Sequence, residues 1–173
     1  MQLRYITVFL AVSISFLITI GCVRENSIRS RQAVIFELKD KDGKSHSLSD
    51  QREKSVLLHF WASWCEPCIE EIKSIVEFSE AYKGFPLVVI AVSVDEKWEN
   101  ALKIIPKKTL PSNTIWLLDP TGTLPKKYGT FRFPETFLLS SKLEIVEKFI
   151  GPQDWQGARA RFTVEQALLG PGK

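Results

Sequence analysis

Two cysteines three positions apart are the residues of this chain best suited to chemistry. They are Cys65 and Cys68 in the stretch FWASWCEPC, which follows an apolar run and precedes a helical pattern. At a helix start, unpaired backbone N–H groups and the positive end of the helix dipole favour a thiolate. Because the thiolate attacks disulfides, the pattern predicts thiol–disulfide exchange, with Cys65 as nucleophile and Cys68 as resolving thiol. Pro67 fits, since a first helical turn does not use its missing N–H.

Other uses of a cysteine pair agree less well with the rest of the sequence. Zinc needs two further ligands, and Cys22, His46 and His59 provide no second ligand pair at zinc spacing. Ile69 stands where covalent haem attachment requires histidine. A purely structural disulfide closing so small a ring adds little loop entropy. No segment resembles a nucleotide-binding loop, so we expect no metal and no other cofactor.

Glu66, between the cysteines, is a candidate for tuning the pair. Its negative charge disfavours a second one beside it, so the reduced form is less stabilised and the pair more reducing. We expect Glu66 to be exposed, so that solvent weakens this effect.

The elements that position the pair alternate between strand and helix. The apolar run SVLLHFWA, 55–62, is typical of a strand covered on both faces, and PLVVIAVSV, 86–94, is its expected partner. Between them, Ile69, Ile72 and Tyr82 recur at helical spacing, which predicts a crossover helix and a parallel unit.

Further elements complete an α/β domain with a mixed sheet. Before the parallel unit, an Asp-Gly turn signal at 42–43 predicts a β-hairpin. After it, the segments 115–119, 135–140 and 145–151 are strand candidates, the last two as a hairpin. A final helix is predicted from Asp154, a good N-cap, to Leu169.

Composition excludes several classes of protein. The chain has 173 residues, 45% of them hydrophobic and 25% charged, as in an ordinary globular domain. A net charge of +3 is too small to indicate nucleic acid binding, and the basic doublets at 107–108 and 126–127 have no aromatic residues interleaved. We expect no nucleic acid partner and a monomer.

The first 23 residues form a predicted signal or anchor segment. No charge occurs from Tyr5 to Val23, a length close to that of a membrane span. LITIGC also resembles a bacterial lipoprotein signal, in which Cys22 would carry the lipid; the alternative is that Cys22 is one more apolar residue of a transmembrane helix. Residues 24–33 are predicted to be a spacer before a domain at 34–170. The arginines after the segment outnumber Arg4 before it, which by the charge-bias rule favours a cytoplasmic domain unless the signal is cleaved.

FWASWCEPC, with VIFELKDKDGKSHSLSD before it and FPETFLL after it, resembles the membrane-tethered thioredoxin-like proteins of bacteria. That branch includes the thiol-disulfide reductants of cytochrome c maturation. The resemblance implies an α/β thioredoxin-like fold with a central mixed sheet flanked by helices, an added N-terminal β-hairpin and an insertion after the first crossover helix. It also implies a location in the cell envelope, in the periplasm or outside the cytoplasmic membrane.

The same resemblance implies roles for residues near the pair. An acid at the position of Glu71 tunes the thiols or shuttles their proton, where the alternative is a solvated first-turn glutamate. Pro134 matches a proline held cis opposite the cysteines, offering backbone to an extended substrate, and Phe133 takes a place that often holds a smaller or β-branched residue. Trp61 and Trp64 are expected to pack around the site, Trp64 the more exposed of the two; the alternative is that both are plain core residues. His59 occupies the position of a buried aspartate in cytosolic thioredoxins, as either a proton relay beneath Cys68 or a core imidazole.

The expected function is reduction of disulfides in exported proteins, with apocytochrome c as one candidate client and a membrane thiol donor as the source of electrons. Two alternatives stay open. A peroxiredoxin-like peroxidase would need a lone cysteine preceded by threonine, which this chain lacks. A non-catalytic lipoprotein that keeps the thioredoxin fold would not need both cysteines and Pro134.

Overall fold

The computed structural model describes residues 31–107 and 110–169. Cys22, the predicted segment 1–23 and most of the predicted spacer lie outside these residues. Across the described ranges, no helix combines the length and the apolar character needed to cross a membrane.

Eight strands and four helices make up the described chain. The strands are β1 (Arg31–Gln32), β2 (Glu37–Lys39), β3 (Ser45–Ser47), β4 (Ser55–Trp61), β5 (Leu87–Ser93), β6 (Thr114–Leu118), β7 (Glu135–Leu139) and β8 (Glu144–Ile150). The helices are α1 (Glu66–Ala81), α2 (Trp98–Ile104), α3 (Thr123–Tyr128) and α4 (Ala158–Leu169), with a 3₁₀ turn at Leu48–Gln51.

A six-stranded mixed sheet forms the centre, in the order β1-β8-β7-β4-β5-β6. β4, β5 and β6 are parallel, whereas β7 pairs antiparallel with both β4 and β8. Every residue of β4 and β5 is buried, because helices or the hairpin cover both faces of these strands. The thioredoxin-like α/β fold predicted from the sequence is confirmed.

The β2–β3 hairpin and α3 cover one face of the sheet. The turn at the Asp-Gly signal closes with the N–H of Asp40 donating to the carbonyl of Lys44 at 3.0 Å. Gly43 adopts φ +81°, a conformation that a side chain would strain. Phe36 and Leu38 from the hairpin and Tyr128 from α3 pack on the apolar side chains of this face.

The other face is covered by α1 and α4, with α2 at the β5–β6 side. Ile75 and Phe78 of α1 pack with Val164 of α4 against the sheet. The amino-terminal part of α1 packs with Ala101 of α2 instead. Helix α1 therefore lies across β4 with its start at the carboxyl end of that strand.

Two predicted boundaries differ from the structure. The final helix begins at Ala158 rather than Asp154, because Asp154 closes a separate turn: it accepts the N–H of Gln156 on its side chain at 3.0 Å and the N–H of Gly157 on its carbonyl at 3.0 Å. The predicted spacer, 24–33, overlaps β1, in which Arg31 and Gln32 pair with β8. Pairing with a distant strand gives these polar residues a structure that their sequence does not signal.

Candidate active site

The two cysteines lie at the start of α1 and are joined as a disulfide, with Cα atoms 5.2 Å apart. Cys65 is the N-cap and Pro67 lies in the first turn. The carbonyl of Cys65 accepts the N–H groups of Cys68 at 3.0 Å and Ile69 at 3.1 Å, so the missing N–H of Pro67 leaves no helical bond unmade. Cys65 retains 6% exposure whereas Cys68 is fully buried. Of the two cysteines, Cys65 is therefore the one that an incoming reactant can contact first.

A buried carboxylate holds the loop that leads into the pair. Asp95 follows β5 and accepts hydrogen bonds from the N–H of Ser63 at 3.1 Å and from its hydroxyl at 2.7 Å. The hydroxyl of Ser93 donates to the same carboxylate at 2.6 Å. Because Ser63 is one residue before Trp64 and two before Cys65, this cluster fixes both the exposed indole and the first sulfur.

Aromatic side chains line the approach to the disulfide. Trp64 is 67% exposed, and its ring meets that of Phe133 edge to face, with centroids 5.9 Å apart. The Phe133–Pro134 peptide bond is cis, and Phe133 also packs against the cluster that contains both cysteines. Trp64 and Phe133 line a cavity of about 510 Å³ that reaches Phe131 and the start of α3. The structure thus brings Trp64, Cys65, Phe133 and Pro134 together at one end of the sheet.

Glu71 lies one turn further along α1 than Cys68 and is 3% exposed. It is not a solvated first-turn glutamate, which removes that alternative. Oε1 accepts the indole N–H of Trp155, and no hydrogen bond reaches Oε2 within the described ranges. Burial raises the pKa of Glu71 from 4.5 to about 7, and the bonds from Trp155 and the backbone of Gln153 offset only part of that effect. Near neutral pH this carboxyl can take up or release a proton.

Glu66, by contrast, is exposed, as the sequence predicted. Solvent therefore weakens the effect of its charge on the cysteine pair.

His59 lies in β4, fully buried. Its alternation with Leu57 and Trp61 places it on the α1 face of the sheet. Nδ1 is 2.9 Å from Oγ1 of Thr136 on β7, and Nε2 has no hydrogen-bond partner among the residues described. Burial lowers the pKa of His59 from 6.5 to about 3, so the imidazole is neutral at physiological pH.

A second buried glutamate lies directly after Pro134. Glu135 is fully buried at the start of β7, and Nζ of Lys148 lies 3.0 Å from its Oε2. Lys148 is on β8, which neighbours β7. Its ammonium also donates to the carbonyl of Gly129 at 3.2 Å. This pair lies on the hairpin face of the sheet, opposite Glu71, because Glu135 alternates with the core residues Phe137 and Leu139.

The sequence analysis missed Asp95, Glu135, Lys148 and Trp155. Two signals were available. Glu135 begins the strand predicted at 135–140, and a carboxylate must be paired wherever such a strand is buried. Asp95 follows the carboxyl end of a predicted parallel strand, where functional side chains commonly gather. The partners Lys148 and Trp155 carry no local signal, since they meet the site only through tertiary contacts.

Within 31–107 and 110–169, no group of three or more His, Cys, Asp or Glu side chains could hold a metal ion.

Known proteins resemble this chain over most of its length. The AhpC/TSA family matches residues 30–148. The sporulation thiol-disulfide oxidoreductase A of Bacillus subtilis is 30% identical over 121 residues, 68% of this chain and 72% of that protein. The thiol-disulfide oxidoreductase ResA of Bacillus thuringiensis is 30% identical over 123 residues, 71% of this chain and 70% of that protein.

Solved structures agree with these relatives. A putative thiol:disulfide interchange protein DsbE from Chlorobium tepidum superposes with a TM-score of 0.71 at 28% identity, covering 80% of this chain and 96% of that one. The exposed lipoprotein thioredoxin Etrx1 of Streptococcus pneumoniae gives 0.64 at 28% identity, covering 77% and 100%. With its disulfide at the start of α1 and its cis proline nearby, the chain belongs to the AhpC/TSA family, as one of its thioredoxin-like thiol-disulfide oxidoreductases.

Proposed function

We propose that this protein reduces disulfides in exported proteins through Cys65 and Cys68, outside the cytoplasmic membrane and tethered by its N-terminal segment. The observation that carries this proposal is a disulfide at a helix start whose more exposed cysteine, Cys65, directly follows exposed Trp64 and shares a packing cluster with Phe133, the residue before cis-Pro134. In that arrangement Cys65 can meet a client chain, and buried Cys68 acts as the resolving thiol.

The reaction begins from the reduced dithiol. The Cys65 thiolate attacks one sulfur of a client disulfide, a Cys65–client bond forms, and the other client sulfur leaves as a thiolate. The Cys68 thiolate then attacks the Cys65 sulfur, which releases the second client sulfur and closes the Cys65–Cys68 disulfide. The client gains two electrons and two protons, and a membrane thiol donor restores the dithiol by the reverse exchange.

Glu71 supports the second step. Cys68 is buried, so its proton cannot pass directly to bulk water when its thiolate forms. The carboxyl of Glu71, one helical turn away, has a pKa raised to about 7 and can accept that proton near neutral pH. His59 shares this face of the sheet but stays uncharged, which supports a structural rather than an acid–base role.

Two observations support the proposed location. Relatives include a protein described as an exposed lipoprotein thioredoxin, and residues 1–23 carry the predicted signal or anchor, with Cys22 as the candidate lipid attachment site. Apocytochrome c is one candidate client. In intact cells, a membrane-impermeant maleimide is expected to label reduced Cys65; complete protection until lysis would contradict this location.

Insulin reduction with dithiothreitol as donor tests the activity. We expect the full chain, in detergent, to accelerate insulin reduction above dithiothreitol alone, and Cys65→Ser and Cys68→Ser each to return the rate to background. Cys22→Ser is the matched control, since it removes a thiol outside the pair and should keep the activity. A wild-type rate equal to background would contradict the proposal and favour a non-catalytic role.

Cys68→Ala, which stalls the mixed disulfide, is expected to trap clients for identification.

The peroxidase alternative is tested in the same preparation. Trp64 rather than threonine precedes Cys65, and Cys65 already has its resolving partner within one helical turn. We expect no consumption of hydrogen peroxide above the rate of dithiothreitol alone. Rapid peroxide turnover with slow insulin reduction would favour the peroxidase.

A further inference from the structure

Phe131 is an aromatic side chain left 70% exposed near the active site. It belongs to the loop 129–133, which connects α3 to cis-Pro134, and it lines the same cavity as Trp64. Trp64 is 67% exposed, and exposed apolar side chains that share one cavity, unlike a single one, are typical of a surface that contacts a partner. Phe131 and Phe133 together form what we call the aromatic wall of the cavity.

Lys148 contacts this loop at two points. Its Nζ lies 5.3 Å from the ring centroid of Phe131 and donates to the carbonyl of Gly129 at 3.2 Å. The same Nζ is 5.1 Å from the ring centroid of Phe137 in the core. One ammonium therefore connects the start of the loop, its exposed ring and the sheet beneath it.

Glu135 fixes the ammonium in place. The carboxylate is fully buried, and among the residues described neither of its oxygens accepts a hydrogen bond, so the ion pair with Lys148 is what compensates its charge. A surface lysine ordinarily samples many rotamers and its contact with an aromatic ring is weak. Here the buried anion removes that freedom, because moving the ammonium would leave the carboxylate uncompensated.

The two sides of the cavity are thus held by two different buried carboxylates. Asp95 fixes the loop that carries Trp64 and Cys65, through Ser63. Glu135 fixes the loop that carries the aromatic wall, through Lys148.

We propose that the Glu135–Lys148 pair positions the aromatic wall against the client chain, which makes Lys148 a specificity-determining residue for protein disulfides. The inference rests on the proposed reduction of protein disulfides. The segment received is an extended stretch of client with an apolar side chain beside its cysteine. A small disulfide such as cystine needs only the sulfur of Cys65 and does not depend on the wall.

The test compares insulin with cystine as oxidants of the fully reduced protein. The main variant is Glu135→Met/Lys148→Met, because replacing a buried ion pair by apolar residues of similar volume is often neutral for stability. We expect the ratio of the second-order rate constant for insulin to that for cystine to fall about tenfold, mainly through slower reaction with insulin. Lys142→Met, an exposed lysine at the far end of the β7–β8 hairpin, is the matched control and should leave the ratio unchanged.

Phe131→Ala tests the role of the aromatic wall independently, because it removes the exposed ring and keeps the Glu135–Lys148 pair. We expect it to lower the insulin-to-cystine ratio to a similar extent, and the triple variant with Glu135→Met and Lys148→Met to lose no more than either alone. An unchanged ratio in the Phe131→Ala protein, an equal loss for both oxidants, or fully additive losses would each overturn the proposal. Failure of the wild type to reduce insulin at all would instead contradict the proposed function.

Discussion

Two buried glutamates flank the active site on opposite faces of the central sheet, and they are accommodated in different ways. Glu71, on the α1 face, receives the N–H groups of Trp155 and Gln153 but no cation, and its pKa rises to about 7. Glu135, on the hairpin face, has the ammonium of Lys148 at 3.0 Å. Burial without a counter-charge produces a group that titrates near neutral pH, whereas burial with one produces a fixed ion pair.

The difference matches the two tasks on either side of the disulfide. A dithiol that opens and closes must gain and lose protons, and Glu71 lies one turn from the buried sulfur. A client groove must keep its shape during the reaction, and the Glu135–Lys148 pair connects its wall to the sheet. In the mechanism that we propose, the same residue type therefore serves proton transfer on one face and positioning on the other.

Removing the cation from the hairpin face should have the largest effect. In Lys148→Met, Glu135 is left as a buried carboxylate without compensation, and we expect a loss of about 4 kcal/mol in the free energy of unfolding at pH 7. Urea unfolding of the oxidised protein measures this loss. Adding Glu135→Met should restore most of it; a single variant as stable as the wild type would show that the pair is not needed to compensate the charge.

Replacing the uncompensated glutamate should stabilise the protein at alkaline pH. Between 4.5 and about 7 the folded state keeps the proton of Glu71 and the unfolded state loses it, so wild-type stability falls as pH rises through that window. Glu71→Gln removes this dependence. We expect its stability relative to wild type to rise by roughly 3 kcal/mol from pH 4 to pH 8.

Parallel urea titrations at the two pH values give this difference directly, and Glu70→Gln, exposed on the same helix, is the control. If the stability difference between Glu71→Gln and wild type did not change with pH, the pKa of Glu71 in the folded protein would be that of an ordinary glutamate.

His59 extends the comparison to a buried base, with the opposite pH dependence. Its folded pKa of about 3 lies below the ordinary 6.5, so stability falls as pH drops below 6.5 and the unfolded chain takes up a proton. The stability of His59→Asn relative to wild type should therefore be about 2 kcal/mol higher at pH 5 than at pH 7.5. Insulin reduction at pH 7.5 should be nearly unchanged.

The parallel variant is His46→Asn, which replaces a half-buried histidine outside the central sheet whose Nε2 lies 2.7 Å from Oδ2 of Asp40. A large shift in the pH profile of reduction in His59→Asn would instead assign the imidazole to proton transfer.

The smallest effect is expected from the donor to Glu71. Trp155→Phe removes the indole N–H that offsets part of the burial effect, so the pKa of Glu71 should rise further and stability should fall by about 1 kcal/mol. Carboxyl ¹³C NMR follows the titration. Trp116→Phe is the matched control, since its indole N–H has no acceptor in the described part of the chain. A Glu71 titration identical in both variants would contradict this role for Trp155.

Sequence patterns located most of the fold and the centre of the site. Apolar runs predicted β4, β5 and the later strands, because a strand buried on both faces must be apolar throughout. Periodicity predicted α1 and placed its start at the cysteine pair. The boundary at Asp154 was wrong, since a good N-cap residue also closes a turn, and only the packing of the following chain decides between the two.

The residues around the sulfurs were only partly predictable. Spacing put Glu71 one turn from Cys68, but its burial depends on Trp155, which packs on Phe78 and Phe149 from a segment beyond β8. Asp95 and Glu135 stand in or next to buried strands, yet their bonds to Ser63 and Lys148 join separate elements. Such contacts leave no local pattern in a single sequence.

The sequence by itself determined the reactive chemistry: two thiols one turn apart at a helix start can form and exchange a disulfide in any fold that supports that helix, because the helix end supplies the stabilising field locally. Tertiary structure alone decided the charge state of the groups around them. Ionisation depends on burial and on the distance to a counter-charge, and both are set by side chains that the fold brings from elsewhere, such as Lys148 of β8 and Trp155 of the segment before α4.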